Sequence, residues 1–219
     1  MQSFVHALGT RRLPVLVQEG PGPERLELTG PVLANWIFKS VGLLGELEVG
    51  PVDAGGRALG IVGAENLHWR ALAALLAAWA LGAEVHVLGA DDAEPEDEWI
   101  AFLPEAPEEG AELPGVTASA EEVLVSALPG LALSARAPQG CLDYLSTVRT
   151  HPDVAAVAAH RSGRVHVAGS ALVVAIPSVG GAPGAGHTAH TPSGVPGDVA
   201  AWEALLSALL TGELVLRTP

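Results

Sequence analysis

Two apolar runs separated by a long Ala/Leu segment form the strongest hydrophobic pattern in this chain, between residues 57 and 90. Ala58–Val62 and residues 85–88 are short, apolar and followed by glycine, which predicts two buried strands. Every residue from 71 to 81 is Ala, Leu or Trp, and this composition predicts a helix buried on more than one side. Gly82 is well placed to end that helix. The unit therefore predicts a right-handed parallel crossover within a sheet that is covered on both faces.

Weaker patterns on either side predict further layers around this unit. Residues 13–18 and 25–28 flank a Gly/Pro turn and predict a hairpin at the edge of the fold. A helix is predicted over about residues 30–47, because Pro31 favours a first turn and apolar residues then recur at helical spacing. The pattern at residues 120–128 fits either a helix or a strand. Further strands are predicted at residues 99–103, 131–135, 165–167, 172–176 and 213–216, and further helices at 141–150 and 199–210, the last capped by Asp198.

The alternation of strands and helices predicts the α/β class, as a layered domain with mostly parallel sheets flanked by helices. A length of 219 residues fits one α/β domain over residues 1–219. Two sub-layers are expected within it, at about 1–135 and 136–219.

Charge and cysteine content narrow the classes of partner. A net charge of -14 would repel a phosphate backbone, so nucleic-acid binding is not expected. Ten acidic residues fall within 91–112, and a solvated surface is favoured there over a cation site because no known ligand spacing is present. The single cysteine, Cys141, excludes a disulfide framework and a thiolate zinc site, and we expect it to be a small packed residue.

The apolar segments do not suggest a membrane protein. The run at residues 71–83 is shorter than the roughly 20 residues that a transmembrane helix needs. The first residues lack the apolar stretch of a secretory signal, so a cytoplasmic location is expected.

The glycine-rich segment at residues 178–186, SVGGAPGAG, is the main candidate for ligand binding. It follows an apolar run that predicts a buried strand, and backbone amides in such a turn can bind phosphate. However, no lysine follows Lys39, and neither common glycine-rich phosphate motif is present. An ordinary loop is therefore the alternative.

The histidines offer a second candidate chemistry. His187 and His190 are three residues apart and could bind a metal ion if a third ligand lay close to them. Without an HExxH motif or a cysteine partner, we expect solvent-facing loop histidines and assign no metal site. His86 in a strand and His68 at a helix start are expected to be structural. No catalytic residue is assigned, since Ser178 lacks the GxSxG elbow.

Two long stretches of this sequence resemble a known family. RLELTGPVLANWIFKSVGLL and ALGIVGAENLHWRALAALLAAWALGAEVHVL are similar to the N-terminal segment of the AMP-forming adenylating enzymes, the acyl-CoA synthetase superfamily. Asn66 and the Gly82-Ala83 pair match that family's turns, and Asn66 is expected to cap the following helix. The resemblance covers residues 13–90 well and the tail WEALLSALLTGELVLR more loosely.

The resemblance places the family's phosphate loop at SVGGAPGAG and implies ATP or AMP as its ligand. Gly184 stands where the family has its lysine, and the family's threonines are missing. The sequence also ends before the family's later adenine, magnesium and catalytic-lysine motifs, so adenylate formation is not expected. The residues that the resemblance assigns to phosphate binding are Ser178, Gly180, Gly181 and Gly184.

Three functional interpretations follow. The first is a non-catalytic, fragment-like relative of these enzymes that acts by binding or association, as a homodimer or with a protein partner. The second is a nucleotide- or acyl-CoA-binding protein with weak ligase-type activity. The third, a metal-dependent hydrolase, depends on His187 and His190 alone.

Overall fold

The computed structural model of the chain describes residues 1–20, 23–63, 67–109, 111–155, 157, 159–177, 189–192 and 194–217. Within these residues the helices and strands form two sheets with helices packed around them. In chain order the elements are α1 (Gln2–Thr10), β1 (Pro14–Glu19), β2 (Arg25–Thr29), α2 (Gly30–Glu46), β3 (Ala58–Val62), α3 (Trp69–Leu81), β4 (Glu84–Leu88), β5 (Trp99–Leu103), β6 (Glu122–Val125), β7 (Leu142–Asp143), α4 (Tyr144–Val148), β8 (Ser162–Val167), β9 (Ser170–Ala175), β10 (Ala189–His190), α5 (Val199–Thr211) and β11 (Glu213–Arg217).

The larger sheet has seven strands in the order β7-β6-β5-β3-β4-β8-β9. Neighbouring strands are parallel except for β9, which runs antiparallel to β8. β3, α3 and β4 form the predicted parallel crossover. The mostly parallel sheet with flanking helices confirms the predicted α/β class.

Helix α3 lies at the centre of the core. His68 precedes it and accepts a hydrogen bond from the backbone N–H of Arg70, and Gly82 ends it with a φ of 82°. Residues 69–80 are all buried, which confirms the burial predicted for the all-apolar run from residue 71 and adds the charged Arg70 to it. One side of α3 packs on α2 and the other contacts β3, β4 and β8. Asn66, the predicted cap, lies outside the described residues.

The smaller sheet has the order β10-β11-β1-β2. β1 and β2 are antiparallel, which confirms the predicted hairpin, and β2 lies at the sheet edge. β11 runs parallel to β1 on its other side. Strands from both halves of the sequence occur in both sheets, and the division into one domain with two sub-layers remains a prediction.

Two local predictions, a strand at residues 131–135 and a continuous helix at 141–150, were wrong, and one that was open between helix and strand is decided. Residues 131–135 form no strand; Leu131 is 84% exposed, and the Arg149 side chain donates to the Leu133 carbonyl at 2.6 Å. The ambiguous segment at 120–128 contains strand β6. The predicted helix at 141–150 is divided into β7 and the short α4, because the Asp143 carboxylate accepts hydrogen bonds from the first α4 amides.

Helix α1 was not predicted. It buries Phe4, Val5 and Leu8 in the main core and packs on α2. Among the helices in the described ranges, none is long and apolar enough to cross a membrane.

Candidate functional site

Two neighbouring parallel strands carry the same x-Val-His-Val sequence. β4 begins with EVHV at residues 84–87, and β8 ends with RVHV at residues 164–167. The register sets His86 beside His166 and Glu84 beside Arg164. Because successive side chains point to opposite faces of a sheet, these four side chains share one face, and the intervening valines point to the other.

The distances within this group are short. Nε2 of His166 lies 2.7 Å from Oε2 of Glu84, and Arg164 pairs with Oε1 of the same carboxylate. The imidazole rings of His86 and His166 are stacked, with centroids 4.2 Å apart and planes 10° apart. One ligand atom from each of Glu84, His86 and His166 lies within 4.8 Å of the other two. We call these three residues the His-Glu cluster.

Partial burial sets the charge state of the His-Glu cluster. Burial, and to a smaller extent the neighbouring His166, lower the pKa of His86 to about 4, against the opposing effect of Glu84 and Asp97. Burial alone would raise the pKa of Glu84, but the hydrogen bond with His166 and the charge of Arg164 outweigh it, so the pKa is lowered. At neutral pH the cluster therefore contains a carboxylate and at least one neutral imidazole.

A cavity of about 310 Å³ adjoins the cluster and is lined by Glu84 of the cluster and by Arg164, which pairs with Glu84. Its other lining residues include Asp53, Gly82, His160 and Val173. This cavity lies at the beginnings of β4 and β8. Open α/β sheets usually bind their ligands at the carboxyl ends of the strands, so the cavity is at the opposite end.

A second polar group, around Arg70, is fully buried. The Arg70 guanidinium donates to the carbonyls of Pro129 at 3.1 Å and Gly130 at 2.8 Å, and it lies 4.6 Å from the ring centroid of Trp69. Burial lowers the pKa of Arg70 to about 10. Since the side chain is 1% exposed, Arg70 holds the loop after β6 in place and is not accessible to a ligand.

His68 belongs to this buried group, as its predicted structural role requires. Its Nδ1 accepts from the backbone N–H of Arg70, and its Nε2 lies 3.1 Å from the carbonyl of Leu128. Burial lowers the pKa of His68 to about 3, and the charge of Arg70 adds to this effect.

The chain's one lysine is engaged elsewhere. Nζ of Lys39 lies 2.7 Å from Oδ1 of Asp153 and donates to the His151 carbonyl at 2.7 Å. Cys141 is half-buried, and burial raises its thiol pKa, which fits a packed residue better than a nucleophile.

The glycine-rich candidate lies outside the described residues. This holds for Ser178, Gly180, Gly181 and Gly184, so phosphate binding there remains a prediction. The preceding strand, β9, is not the buried strand that was expected, because its burial alternates and Val173 is 59% exposed. His187 is also outside the described residues, whereas His190 lies in β10 with its Nε2 buried.

The sequence did not lead us to predict that His86 and His166 lie side by side. The expectation for His86 was a structural role, and 80 residues separate the two histidines. The available signal was the repeated x-Val-His-Val pattern. Two parallel strands with the same pattern place their histidines side by side when they are neighbours in register.

Comparisons with known proteins give a sequence match over part of the chain and a structural match over nearly all of it. No protein-family model matches the chain. A curated protein from Mycobacterium tuberculosis, described as a TIGR03089 family protein, is 30% identical over 131 residues. This match covers 59% of the chain and 50% of the relative, so the chain matches half the length of that protein.

Solved structures of synthetases match nearly the whole chain. An acyl-CoA synthetase from Brucella canis has a TM-score of 0.66 at 15% identity, covering 98% of this chain and 43% of the enzyme. Acetoacetyl-CoA synthetase from Streptomyces lividans has a TM-score of 0.65 at 19% identity, covering 99% and 38%. An amide bond synthetase from Marinactinospora thermotolerans has a TM-score of 0.54 at 17% identity, covering 99% and 44%. The predicted resemblance is thus confirmed as a likeness of fold: the chain has the fold of part of the acyl-CoA synthetases and adenylation enzymes.

Proposed function

We propose that this chain acts by association and not by catalysis, as an α/β domain that pairs with a second copy of itself through strand β9. The observation that carries this proposal is the position and composition of β9. It is the edge strand at one end of the seven-stranded sheet, and within the described residues it pairs only with β8.

Strand β9 lacks the features that usually prevent edge pairing. Its sequence, SALVVA, contains no charged residue and no proline. Natural sheets commonly protect exposed edges with lysine, proline, bulges or very short strands. A six-residue edge without these features is suited to form backbone hydrogen bonds with another strand.

The distribution of charge favours this edge over other surfaces for self-association. The chain carries a net charge of -14, so two copies repel each other over most of their surfaces. At β9 two copies could approach without placing like charges opposite each other, and Val173 would lose exposed apolar area. An antiparallel β9–β9 contact has two-fold symmetry, which is the commonest form of dimer.

The proposal that the chain is not catalytic depends on the positive charge that group transfer requires. Transfer of a phosphoryl or adenylyl group requires donors or cations that stabilise developing negative charge. Lys39 is the only lysine, and it is already engaged in an ion pair with Asp153 and a hydrogen bond to the His151 carbonyl.

Light scattering of the purified chain tests the association. We expect a concentration-dependent mass of twice 22.3 kDa. Val173→Lys should shift the protein to the monomer, because each strand of the contact would then carry a positive charge. Val154→Lys is the matched control: Val154 is 75% exposed and lies outside the sheet, so this variant should dimerise like the wild type. A wild-type protein that stays monomeric at all concentrations, or a dimer unaffected by Val173→Lys, would refute the proposal.

Residual binding of a nucleotide or of coenzyme A is the second candidate function. It is supported by the glycine-rich sequence at residues 178–186 and by the fold shared with synthetases. Calorimetric titration with ATP and magnesium, AMP and coenzyme A tests it. An affinity better than about 100 μM, roughly 5.5 kcal/mol, that is lost when Gly181 and Gly184 are replaced by bulky residues would favour this candidate. No heat with any of the three would leave association as the function.

A further inference from the structure

We propose that Glu84, His86 and His166 form a binding site for a divalent transition-metal ion, with Zn²⁺ as the expected type. The sequence assigned no metal site to the chain. This inference is independent of the proposed dimer, because it depends on one face of β4 and β8 and not on the β9 edge.

The topology fixes the positions of the three ligands. β4 and β8 are hydrogen-bonded neighbours with His86 directly beside His166, and Glu84 precedes His86 by two residues on the same face. Regular strands therefore carry all three side chains, and a rigid framework lowers the cost of assembling a metal site.

The distances are close to those that a metal ion requires. The three ligand atoms lie within 4.8 Å of one another, and Nε2 of His166 already contacts Oε2 of Glu84 at 2.7 Å. With bonds of about 2.0–2.2 Å to nitrogen and oxygen, a bound Zn²⁺ needs its ligand atoms somewhat over 3 Å apart. Nε2 of His166 and Oε2 of Glu84 must therefore move apart by about 0.5 Å to admit the ion.

The chemistry of the donors selects the ion. Two imidazoles and one carboxylate suit Zn²⁺ and related transition ions better than Ca²⁺ or Mg²⁺, which prefer oxygen ligands. Three protein ligands leave a fourth position for water, as in sites that are open to a substrate. The three side chains are only half-buried, so an ion can reach them from solvent.

Arg164 opposes metal binding. It pairs with Oε1 of Glu84 and is 54% exposed. Its positive charge repels a cation, but it occupies only one of the two carboxylate oxygens and can move into solvent. Removing this charge should therefore strengthen metal binding.

The His187 and His190 pair is the competing source of a zinc signal. Both residues were candidate ligands on sequence grounds. A valid test must separate that pair from the His-Glu cluster, which the chain allows because the two sets share no residue.

The test is titration of the tag-free, chelator-treated full chain with Zn²⁺ by calorimetry, and with Co²⁺ by visible absorption. We expect one ion per chain and a visible Co²⁺ band of the intensity that four-coordinate sites give. His86→Ala and His166→Ala should each weaken Zn²⁺ binding by at least about tenfold, since even outer-shell partners are worth about 10–100-fold. Glu84→Gln, which preserves shape, should also weaken it, and Arg164→Gln should strengthen it.

The double variant His187→Ala/His190→Ala is the matched control and should bind Zn²⁺ like the wild type. Circular dichroism of each variant identifies loss of fold, and the near-isosteric Glu84→Gln decides the question if the alanine variants unfold. The proposal is overturned if the wild type binds no Zn²⁺. It is also overturned if binding persists in His86→Ala, His166→Ala and Glu84→Gln but is lost in the double variant.

Discussion

The indole ring of Trp79 lies directly on the backbone of Gly163. A Cβ atom at position 163 would come 2.1 Å from Cδ2 of Trp79. Nε1 of Trp79 also donates to the carbonyl of Arg164 at 2.9 Å, so the same ring is held by a hydrogen bond to the next residue. This pair fixes α3 against β8, and Trp202 of α5 packs on the indole at 5.8 Å.

The Trp79 contact predicts that Gly163→Ala destabilises the fold. The added methyl must displace a buried indole, and overpacking of this kind costs about 1–3 kcal/mol. Chemical denaturation monitored by tryptophan fluorescence or circular dichroism measures the change in the free energy of unfolding.

Gly115→Ala is the control for this substitution. A Cβ atom at position 115 meets no other atom within 4 Å, so the free energy of unfolding should change by less than about 0.5 kcal/mol. Equal stability of the Gly163→Ala variant and the wild type would contradict the close contact between Trp79 and position 163.

The buried His68 predicts a loss of stability in mild acid. Its pKa is about 3 in the folded chain against an ordinary 6.5, so below pH 6.5 the unfolded chain takes up a proton that the folded chain does not. This favours unfolding as the pH falls from 6.5 towards 3. By proton linkage, His68 alone should lower the free energy of unfolding by about 2 kcal/mol between pH 7 and pH 5.

Replacing His68 with Asn tests this effect. Asn retains a side-chain acceptor for the helix cap but does not titrate, so the variant should lose about 2 kcal/mol less than the wild type over the same pH range. His6→Asn, at an exposed position, controls for the introduction of asparagine. Identical pH dependence in the wild type and His68→Asn would show that His68 titrates normally.

The single tyrosine provides a direct optical measurement of core burial. Tyr144 is fully buried, and burial raises its pKa to about 12, although the hydrogen bond with Ser40 and the charge of Arg70 act in the opposite direction. Because Tyr144 is the only tyrosine, tyrosinate absorbance reports on this residue alone. We expect it to ionise near pH 12 in the folded chain and near pH 10 in denaturant.

The raised pKa of Tyr144 also makes the stability of the fold depend on pH in the alkaline range. Between pH 10 and 12 the unfolded chain loses the Tyr144 proton more readily, so this residue favours unfolding as the pH rises. Tyr144→Phe should abolish the absorbance change, and it should cost about 1 kcal/mol at neutral pH through loss of the 2.7 Å bond to Ser40. Ionisation near pH 10 in the folded protein would contradict the burial of this ring.

The core was predictable from the sequence where a hydrophobic pattern is compatible with only one local structure. The all-apolar residues 71–81 of α3 require burial on more than one side, and Gly82 supplies the left-handed conformation that ends the helix. Residues 131–135 show the limit of this reasoning. Their Leu/Ala alternation resembles a strand, but arginine side chains bind carbonyls in and beside this segment, and it joins neither sheet formed by the described residues.

The His-Glu cluster was not predictable from single residues because it depends on strand order. Residues 84–87 and 164–167 are far apart in the sequence, and only the position of β8 next to β4 brings them together. The phosphate-loop assignment, in contrast, came from family resemblance and not from strand order. The fold comparisons do not test Ser178 or Gly184.

The parallel pairing of β11 with β1 means that the smaller sheet cannot be completed before β11 has been synthesised. Leu16 lies beside Leu214, so β1 cannot acquire this neighbour until residues 213–217 have left the ribosome. Until then β1 has only β2 beside it, and an isolated two-stranded hairpin is marginally stable in water. The nascent chain therefore leaves one edge of the apolar strand β1 unpaired while all the residues between β2 and β11 are being synthesised.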